Sequence, residues 1–196
     1  MDARTLAAYD AAAARYAAEW AGQPPAADMH ALLRQHFRPG PTADVGCGAG
    51  RDTAWLAANG FDARGFDASE GLLREARAAH PGLRFEQAAL PALAGVERGA
   101  FENVLCETVV MHLAPAEVAP ATRTLAALLR PGGTLYLSWR VTTGTSLRDP
   151  GGRLYAAFDA DVVRDALAGF ETLFDREDTS ASSGKRVHRL IVRRQG

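Results

Sequence analysis

A cluster of glycines and a downstream aspartate are the residues of this sequence best suited to holding a small ligand. The stretch TADVGCGAGRDTAWL, residues 42–56, puts Gly46, Gly48 and Gly50 at alternate positions between an apolar run and a helical pattern. Glycine lets a ligand approach the backbone closely and lets the turn adopt positive φ. Asp67 follows 17 residues after Gly50, at the end of the next apolar run, where an acidic side chain can accept hydrogen bonds from both hydroxyls of a ribose. These residues indicate a ribose-bearing ligand.

The spacing of the glycines bears on which ligand is bound. Dinucleotide sites use GxGxxG, in which a diphosphate sits on the N-terminus of the following helix. Here the spacing is GxGxG, and Arg51 takes the position of the last glycine. The diphosphate interpretation is weakened by this difference but is not excluded, so an oxidoreductase that uses NAD(P) stays open as an alternative function.

Alternating strand and helix patterns must position these residues. Apolar segments separated by helical stretches indicate parallel βαβ units with helices on both faces of one sheet. The apolar segments lie at 42–46, 61–66, 83–86, 101–106 and 134–141, and the helical stretches lie near 51–59, 69–79 and 120–129. We therefore predict a Rossmann-like α/β fold, in which ligands bind outside the carboxyl ends of the strands.

Both ends of the chain add elements to this pattern. Residues 4–20 predict a helix with Tyr9, Tyr16 and Trp20 on one face, and a short helix follows at 29–37. We place a turn at 115–118 and start the next helix near Pro120. After a loop at 142–154, we predict a helix at 159–168 and strands at 170–175 and 186–193, joined as an antiparallel edge hairpin by the turn SASSGK.

From the glycine turn onward, the sequence resembles the class I S-adenosylmethionine-dependent methyltransferases. The motifs that carry the resemblance stand in the expected order over residues 40–141 and read ADVGCGAGRDTAWLAANGFDARGFDAS, LPAL, FENVLCETVVMHL and LLRPGGTLYLSWR. The resemblance implies seven strands in the order 3-2-1-4-5-7-6, with strand seven antiparallel. Residues 1–38 would form a helical lid segment, and residues 39–196 the domain that binds S-adenosylmethionine.

The resemblance also implies which residues contact this cofactor and its product, S-adenosylhomocysteine. The methionine portion would lie against Gly46, Cys47, Gly48, Gly50 and Arg51, the ribose on Asp67, the adenine near Ala68, and the cofactor would also face Cys106 and, from the lid, Tyr16. Many relatives hold the adenine with an acidic residue after strand three, where this chain reads EQAALPAL. Backbone groups and apolar packing at Ala88, Ala89 and Leu90 would take over that role.

Residues after the fourth and fifth strands are the candidates for catalysis and for acceptor binding. His112 and Glu107 follow the fourth strand, where relatives present groups to the methyl acceptor, although a lone histidine is also common as a structural residue. The candidate acceptor contacts flank the loop after the fifth strand and are Trp139, Arg140, Arg148, Arg153 and Tyr155. Paired arginines there would suit an anionic acceptor, but a solvated loop explains them equally well.

Composition narrows the function classes. The chain has 196 residues, 47% apolar, with a formal net charge of -1, which suits one soluble domain and offers no basic footprint for nucleic acid. We interpret the basic residues at 185–194 as a solvated face. Two cysteines without ligand spacing suggest neither a disulfide framework nor a metal site. No 18-residue apolar run indicates a membrane segment, and we expect a cytoplasmic monomer or homodimer.

Taken together, the sequence predicts methyl transfer from S-adenosylmethionine to a small-molecule acceptor by in-line displacement. Positioning can supply most of the catalysis, and a general base is needed only if the acceptor must lose a proton. Two alternatives stay open, namely the NAD(P)-dependent oxidoreductase and a cofactor-binding protein without transfer activity.

Overall fold

The computed structural model describes all residues from Met1 to Gly196 and confirms the predicted Rossmann-like α/β fold. Nine strands form, which are β1 (Pro41–Val45), β2 (Asp62–Asp67), β3 (Arg84–Gln87), β4 (Phe101–Cys106), β5 (Leu129–Arg140), β6 (Leu147–Arg148), β7 (Leu154–Tyr155), β8 (Glu171–Thr179) and β9 (Arg186–Arg193). Seven of them make one sheet in the order β3-β2-β1-β4-β5-β9-β8, and β6 pairs with β7 in a separate small sheet. Without that extra pair, the order is the predicted 3-2-1-4-5-7-6.

Strand directions also agree with the prediction. The pairs β1 with β2, β1 with β4, β2 with β3, and β4 with β5 are parallel. Only β9 runs antiparallel, against both β5 and β8. The carboxyl ends of β1, β2, β4, β5 and β8 therefore meet at one edge of the sheet, where an open α/β fold binds its ligands.

Seven α-helices surround the sheet, which are α1 (Ala3–Ala11), α2 (Ala13–Ala21), α3 (Ala27–His36), α4 (Arg51–Ala58), α5 (Glu70–Ala79), α6 (Pro115–Ala127) and α7 (Asp161–Ala166). A 3-10 turn at Val110–His112 follows β4. The predicted helix at 4–20 is interrupted at Ala12, whose φ is -128°. Long-range contacts fix α1 beside the break, because the Asp10 carboxylate accepts hydrogen bonds from the Ser69 hydroxyl and the Gly71 N–H. No local sequence signal marks such a break.

The prediction of a turn at 115–118 with a helix starting near Pro120 was wrong. Helix α6 begins at Pro115, where a proline costs no helical hydrogen bond because its missing N–H lies in the first turn. Pro120 lies inside the helix and removes one bond. The buried side chains of Val118 and Leu125, each fully shielded from solvent, offset this loss by packing α6 into the main core.

Apolar side chains form cores on both faces of the sheet. On one face, α6 and α7 pack over β4 and β5, with Val104, Leu125 and Leu137 in a common cluster. On the other face, α3 and α4 cover β1 and β4 through Leu33, Leu56 and Leu105. None of the helices combines the length and the apolar character that crossing a bilayer requires.

Candidate active site

A cavity of about 250 Å³ opens at the carboxyl ends of the parallel strands, beneath α1 and α2. Many of the residues singled out from the sequence line it together, namely Gly46, Cys47, Gly48, Arg51, Asp67, Ala68, Glu107, His112, Arg140 and Tyr155. The glycine turn and the acid after β2 form one side of this cavity. The residues after β4 and β5 form the other side. The fold thus brings these ten proposed cofactor, catalytic and acceptor residues to a single place.

The glycine turn between β1 and α4 is shaped so that its backbone faces the cavity without side chains. Gly46 and Gly48 have φ of 80° and 55°, in the left-handed region that favours glycine. A Cβ on Gly46 would lie 2.2 Å from Cγ2 of Val109, and a Cβ on Gly48 would lie 2.8 Å from the Trp20 ring. A Cβ on either glycine would fill the space beside the backbone of the turn. The shape of the turn therefore fits a ligand that approaches the main chain closely.

Asp67 holds the turn and faces the cavity at the same time. Its two carboxylate oxygens accept hydrogen bonds from the Gly48 N–H at 2.9 Å and from the Ser69 N–H at 2.8 Å. Burial raises the pKa of Asp67, and these backbone donors act in the opposite direction. Each oxygen keeps a second lone pair, so the carboxylate can still accept hydrogen bonds from a diol in the cavity.

Several residues predicted as cofactor contacts do not line the cavity. They are Tyr16, Gly50, Ala88, Ala89, Leu90 and Cys106. Gly50 instead avoids a clash, since its Cβ would lie 2.7 Å from the Phe85 ring. Cys106 is fully buried in the core, where burial raises its thiol pKa, and Ala89 is exposed. The ammonium group of Met1 donates to the carbonyl of Leu90 at 2.5 Å, so the N-terminus lies beside this segment.

The predicted acceptor residues are likewise divided. Arg140 and Tyr155 line the cavity, whereas Trp139 is buried and stacks on His188 with ring centroids 4.4 Å apart. Arg153 does not line the cavity and pairs with Asp149 at 2.7 Å. Its guanidinium also lies over the Tyr16 ring at 4.8 Å. These contacts make Arg153 part of the packing between the N-terminal helices and the loop after β5.

His112 is held in one tautomer by two hydrogen bonds. Its Nδ1 donates to the carbonyl of Leu154 at 2.5 Å, because a carbonyl can only accept. Nε2 is then the acceptor of a hydrogen bond that the Tyr9 hydroxyl donates at 2.9 Å. Burial lowers the pKa of His112 to about 4, and the charge of Arg153 acts in the same direction. The imidazole is therefore neutral at physiological pH, with its unprotonated nitrogen directed at Tyr9.

Glu107 belongs to a polar network that runs from the cavity to α3. The Ser138 hydroxyl donates to Glu107, and burial raises the pKa of this carboxyl. The Tyr136 hydroxyl, which also stabilises the charged form of Glu107, accepts a hydrogen bond from Arg189 at 3.0 Å. Arg189 is only 2% exposed and reaches Asp28 at 2.5 Å. The prediction of a solvated basic face at 185–194 was thus wrong for Arg189.

Further residues of the cavity wall were missed as site residues, among them Tyr9, Trp20, Lys185 and Thr108. Tyr9 and Trp20 enter from α1 and α2, and Lys185 enters from the turn between β8 and β9. Thr108 has φ of 54°, an unusual value for a β-branched residue, and its N–H donates to the Ser138 hydroxyl at 3.0 Å. The alternation along β9 could have indicated that Lys185 shares a face with the buried Val187. No sequence signal identifies the strained backbone of Thr108.

The order of the seven strands, the single antiparallel strand, and the glycine turn beside an acid define the fold of class I S-adenosylmethionine-dependent methyltransferases. Residues 43–133 match the family described as "Methyltransferase domain". Residues 43–133 are thus similar to that family, and the chain has the class I methyltransferase fold.

Curated relatives and solved structures agree with this assignment. A ubiquinone biosynthesis O-methyltransferase from Methylococcus capsulatus is 41% identical over 124 residues, which cover 56% of this chain and 51% of the relative. A trans-aconitate 2-methyltransferase from Methylobacterium nodulans is 35% identical over 132 residues, covering 66% and 48%. This chain spans about half the length of these two relatives.

Among solved structures, a 1,6-didemethyltoxoflavin-N1-methyltransferase from Burkholderia thailandensis superposes with a TM-score of 0.79 at 22% identity. The match covers 99% of this chain and 88% of that protein, whose structure contains 1,6-didemethyltoxoflavin and S-adenosylhomocysteine. A magnesium protoporphyrin IX methyltransferase from Synechocystis, solved with S-adenosylhomocysteine, gives a TM-score of 0.65 at 21% identity, covering 98% and 86%. These likenesses concern the fold.

Proposed function

We propose that this chain binds S-adenosylmethionine at the glycine turn and transfers its methyl group to a small-molecule acceptor. The observation that carries the proposal is the position of Asp67, whose carboxylate faces the cavity beside the bare backbone of Gly46 and Gly48. An acid at the end of β2 can accept hydrogen bonds from both hydroxyls of a ribose. The adjacent turn presents the backbone of Gly46 and Gly48, which carry no side chain, next to this carboxylate.

In this proposal the cavity residues have separate tasks. Gly46, Cys47 and Gly48 lie beside the methionine portion, with Arg51 near its carboxylate. Asp67 takes the ribose and Ala68 packs on the adenine. The remaining cofactor candidates stand outside the cavity wall and are given no contact with the cofactor in this proposal, and they are Tyr16, Gly50, Ala88, Ala89, Leu90 and Cys106. The N-terminal segment 1–38 serves as a lid, because Tyr9 and Trp20 form the roof of the cavity.

Bound S-adenosylmethionine supplies a methyl group that its sulfonium already activates. The protein then needs to hold the acceptor atom about 3 Å from the methyl carbon and in line with the breaking bond. For a hydroxyl acceptor, Tyr9 and His112 offer a path for the released proton. The Tyr9 oxygen receives that proton while its own moves to Nε2 of His112, along the 2.9 Å hydrogen bond between them. Glu107 is a second candidate base on the same wall.

Calorimetry with S-adenosylhomocysteine and with NAD tests the proposed cofactor. We expect S-adenosylhomocysteine to bind in a 1:1 ratio and NAD to bind far more weakly. Absence of binding by both S-adenosylmethionine and S-adenosylhomocysteine would overturn the proposal, and preferential binding of NAD would favour the oxidoreductase. Transfer of a labelled methyl group to any member of an acceptor panel then separates an enzyme from a binding protein without activity.

The proposed acceptor is a small molecule and not a nucleic acid. The formal net charge of -1 offers no general attraction to a phosphate backbone, and the cavity has the dimensions of a small-ligand site. A monomer or homodimer is the proposed assembly. Sedimentation equilibrium of the purified protein distinguishes these two states.

A further inference from the structure

The acids of the cavity wall have hydrogen-bond or ion-pair partners, whereas two of its cations have no carboxylate partner. Each of the three acids already has donors close to it. Asp52 pairs with Arg51 at 3.1 Å, Asp67 accepts from two backbone N–H groups, and Glu107 accepts from the Ser138 hydroxyl. None of these acids depends on a ligand to satisfy its carboxylate oxygens.

Two cations on the same wall have no such partner. The side chains of Arg140 and Lys185 both line the cavity, and no carboxylate lies within ion-pair distance of either of them. By contrast, Arg148 and Arg153 on the neighbouring loop are paired with Asp2 and Asp149. Among the cations of the cavity wall and of the neighbouring loop, Arg140 and Lys185 are therefore the ones whose charge is unmatched.

Strand register brings the backbones of these two cations close together, with Lys185 immediately before the first residue of β9. Arg140 of β5 lies opposite Val187 of β9, and Lys185 lies two residues before Val187 on the same chain. Opposite residues of an antiparallel pair share a face, as do residues two apart, and diagonal neighbours are within reach of long side chains. Arg186, which stands between Lys185 and Val187 in the chain, points to the other face of the sheet and pairs with Glu177 at 3.3 Å.

Aromatic packing orients the guanidinium of Arg140. Its Cζ lies 5.0 Å from the centroid of the Tyr155 ring, and Tyr155 is itself buried, with 7% of its surface exposed. A guanidinium stacked on a ring face keeps its N–H groups directed outward in one plane, where they match the two oxygens of a carboxylate. The hydroxyl-bearing residues Ser180, Ser182 and Ser183 line the cavity beside Lys185 and supply further donors.

We propose that Arg140 and Lys185 form an anion subsite of the acceptor pocket and that the acceptor is a small molecule bearing a carboxylate. This inference rests on the methyl-transfer function proposed above and specifies the class of its acceptor. The carboxylate binds to the two cations at the ends of β5 and of the β8–β9 turn. The remainder of the acceptor then extends along Tyr155 toward the region of Tyr9 and His112.

Fluorine NMR with two probes of equal shape tests the subsite. 4-Fluorobenzoate carries the carboxylate and 4-fluorobenzamide does not, and the affinity of each is measured with and without saturating S-adenosylhomocysteine. We expect the benzoate to bind at least about 10-fold more tightly than the benzamide, since hydrogen bonds to charged groups are the stronger ones. Arg140→Gln and Lys185→Gln should each weaken the benzoate by about 10-fold. Arg186→Gln, which removes a neighbouring cation on the opposite face, should leave it unchanged.

Equal affinity of the two probes, absence of benzoate binding, or equal sensitivity to Arg186→Gln and Arg140→Gln would overturn the anion subsite. Thermal unfolding of each variant shows whether it is folded, and the conservative variant Arg140→Lys should retain part of the benzoate affinity. Failure of the methyl-transfer proposal is seen separately, as absence of S-adenosylhomocysteine binding to the wild-type protein. In that case, benzoate binding measured without S-adenosylhomocysteine would still test whether Arg140 and Lys185 bind an anion.

Discussion

The hydroxyl of Tyr9 donates a hydrogen bond to Nε2 of His112 across 2.9 Å. This contact joins α1, at the start of the chain, to the turn that follows β4. Edge-on packing of the two rings, with centroids 5.6 Å apart, accompanies it. The other ring nitrogen of His112 is bound to the Leu154 carbonyl. The hydrogen bond from Tyr9 therefore depends on the protonation state of Nε2 alone.

Tyr9→Phe should raise the pKa of His112 above its value of about 4. The tyrosine hydroxyl stabilises the neutral imidazole by donating to Nε2, and its removal leaves that nitrogen free to take a proton. The charges around the ring are Arg153, which disfavours the imidazolium, and Asp149 and Asp2, which favour it, and all three are retained in the variant. NMR titration of the His112 ring protons measures the change.

Tyr155→Phe is the matched control for this substitution. Tyr155 packs edge-on against the same imidazole, with centroids 5.1 Å apart, but its hydroxyl makes no hydrogen bond to it. We expect the pKa of His112 to stay near its wild-type value in this variant. A pKa that does not rise in Tyr9→Phe, or that rises equally in both variants, would contradict the assigned tautomer.

Asp67→Ala should weaken S-adenosylhomocysteine binding by about 10-fold to 150-fold. The range corresponds to roughly 1.5–3 kcal/mol for hydrogen bonds to a charged group. Isothermal titration calorimetry measures the affinity, and thermal unfolding without ligand shows how far the loss of the Gly48 and Ser69 contacts disturbs the turn. Asp62→Ala, at the exposed start of the same strand, should bind as the wild type does. An unchanged affinity in Asp67→Ala would remove Asp67 from the cofactor site.

Gly46→Ala should lower the free energy of unfolding by roughly 2–5 kcal/mol. Positive φ costs an alanine roughly 1–2 kcal/mol, and the added Cβ would overlap with Val109 at 2.2 Å, which adds roughly 1–3 kcal/mol of overpacking. Gly60→Ala separates the two effects, since Gly60 has φ of 88° but nothing within 4 Å of a built Cβ. Urea denaturation should show a smaller loss in the free energy of unfolding for Gly60→Ala than for Gly46→Ala. Equal losses in the two variants would argue against the close approach of Val109 to Gly46.

Asp44→Asn should make the free energy of unfolding less sensitive to a rise in pH from 5 to 8. Burial raises the pKa of Asp44 to about 8, with the charges of Asp52 and Asp67 acting in the same direction. A raised carboxyl pKa means that stability is complete below the ordinary value of 3.8 and is lost as pH rises towards 8. The neutral amide can still accept the hydrogen bond that the Thr53 hydroxyl gives to Asp44 at 2.6 Å.

Urea denaturation at pH 5 and at pH 8 measures this effect. The free energy of unfolding should fall between the two values in the wild type by more than in Asp44→Asn. Asp62→Asn, which changes an exposed carboxylate, serves as control and should keep the wild-type difference. The same pH dependence in all three proteins would show that Asp44 is charged at neutral pH.

Local sequence signals predicted the sheet well, and they singled out the glycine turn and Asp67, which lie together at one cavity. Alternation of apolar strands and helices fixes the order of elements, and the glycine turn and Asp67 follow from backbone geometry and chemistry that act over a few residues. The start of α6 was missed because packing of Val118 and Leu125 outweighs the effect of Pro120. The break at Ala12 depends on contacts between α1 and α5, which no local pattern encodes.

The acceptor side was harder to predict because it depends on partners distant in sequence. Arg140 and Arg153 look alike in the sequence, yet Arg153 is occupied by Asp149 while Arg140 faces the cavity. Lys185 joins Arg140 only through the register between β5 and β9. Arg189, one residue among several basic neighbours, is buried because Tyr136 and Asp28 are placed to receive it.

The turn between β8 and β9 is anchored independently of the glycine turn. The N–H of Ala181 donates to Asp28 at 3.0 Å, and the N–H of Ser180 donates to the carbonyl of Lys185 at 2.8 Å. Main-chain contacts and α3 thus set its shape, while its serine and lysine side chains face the cavity. Residues 182–185 are therefore suited to replacement. New side chains at these positions should change which acceptor is preferred, while the affinity for the methyl donor is retained.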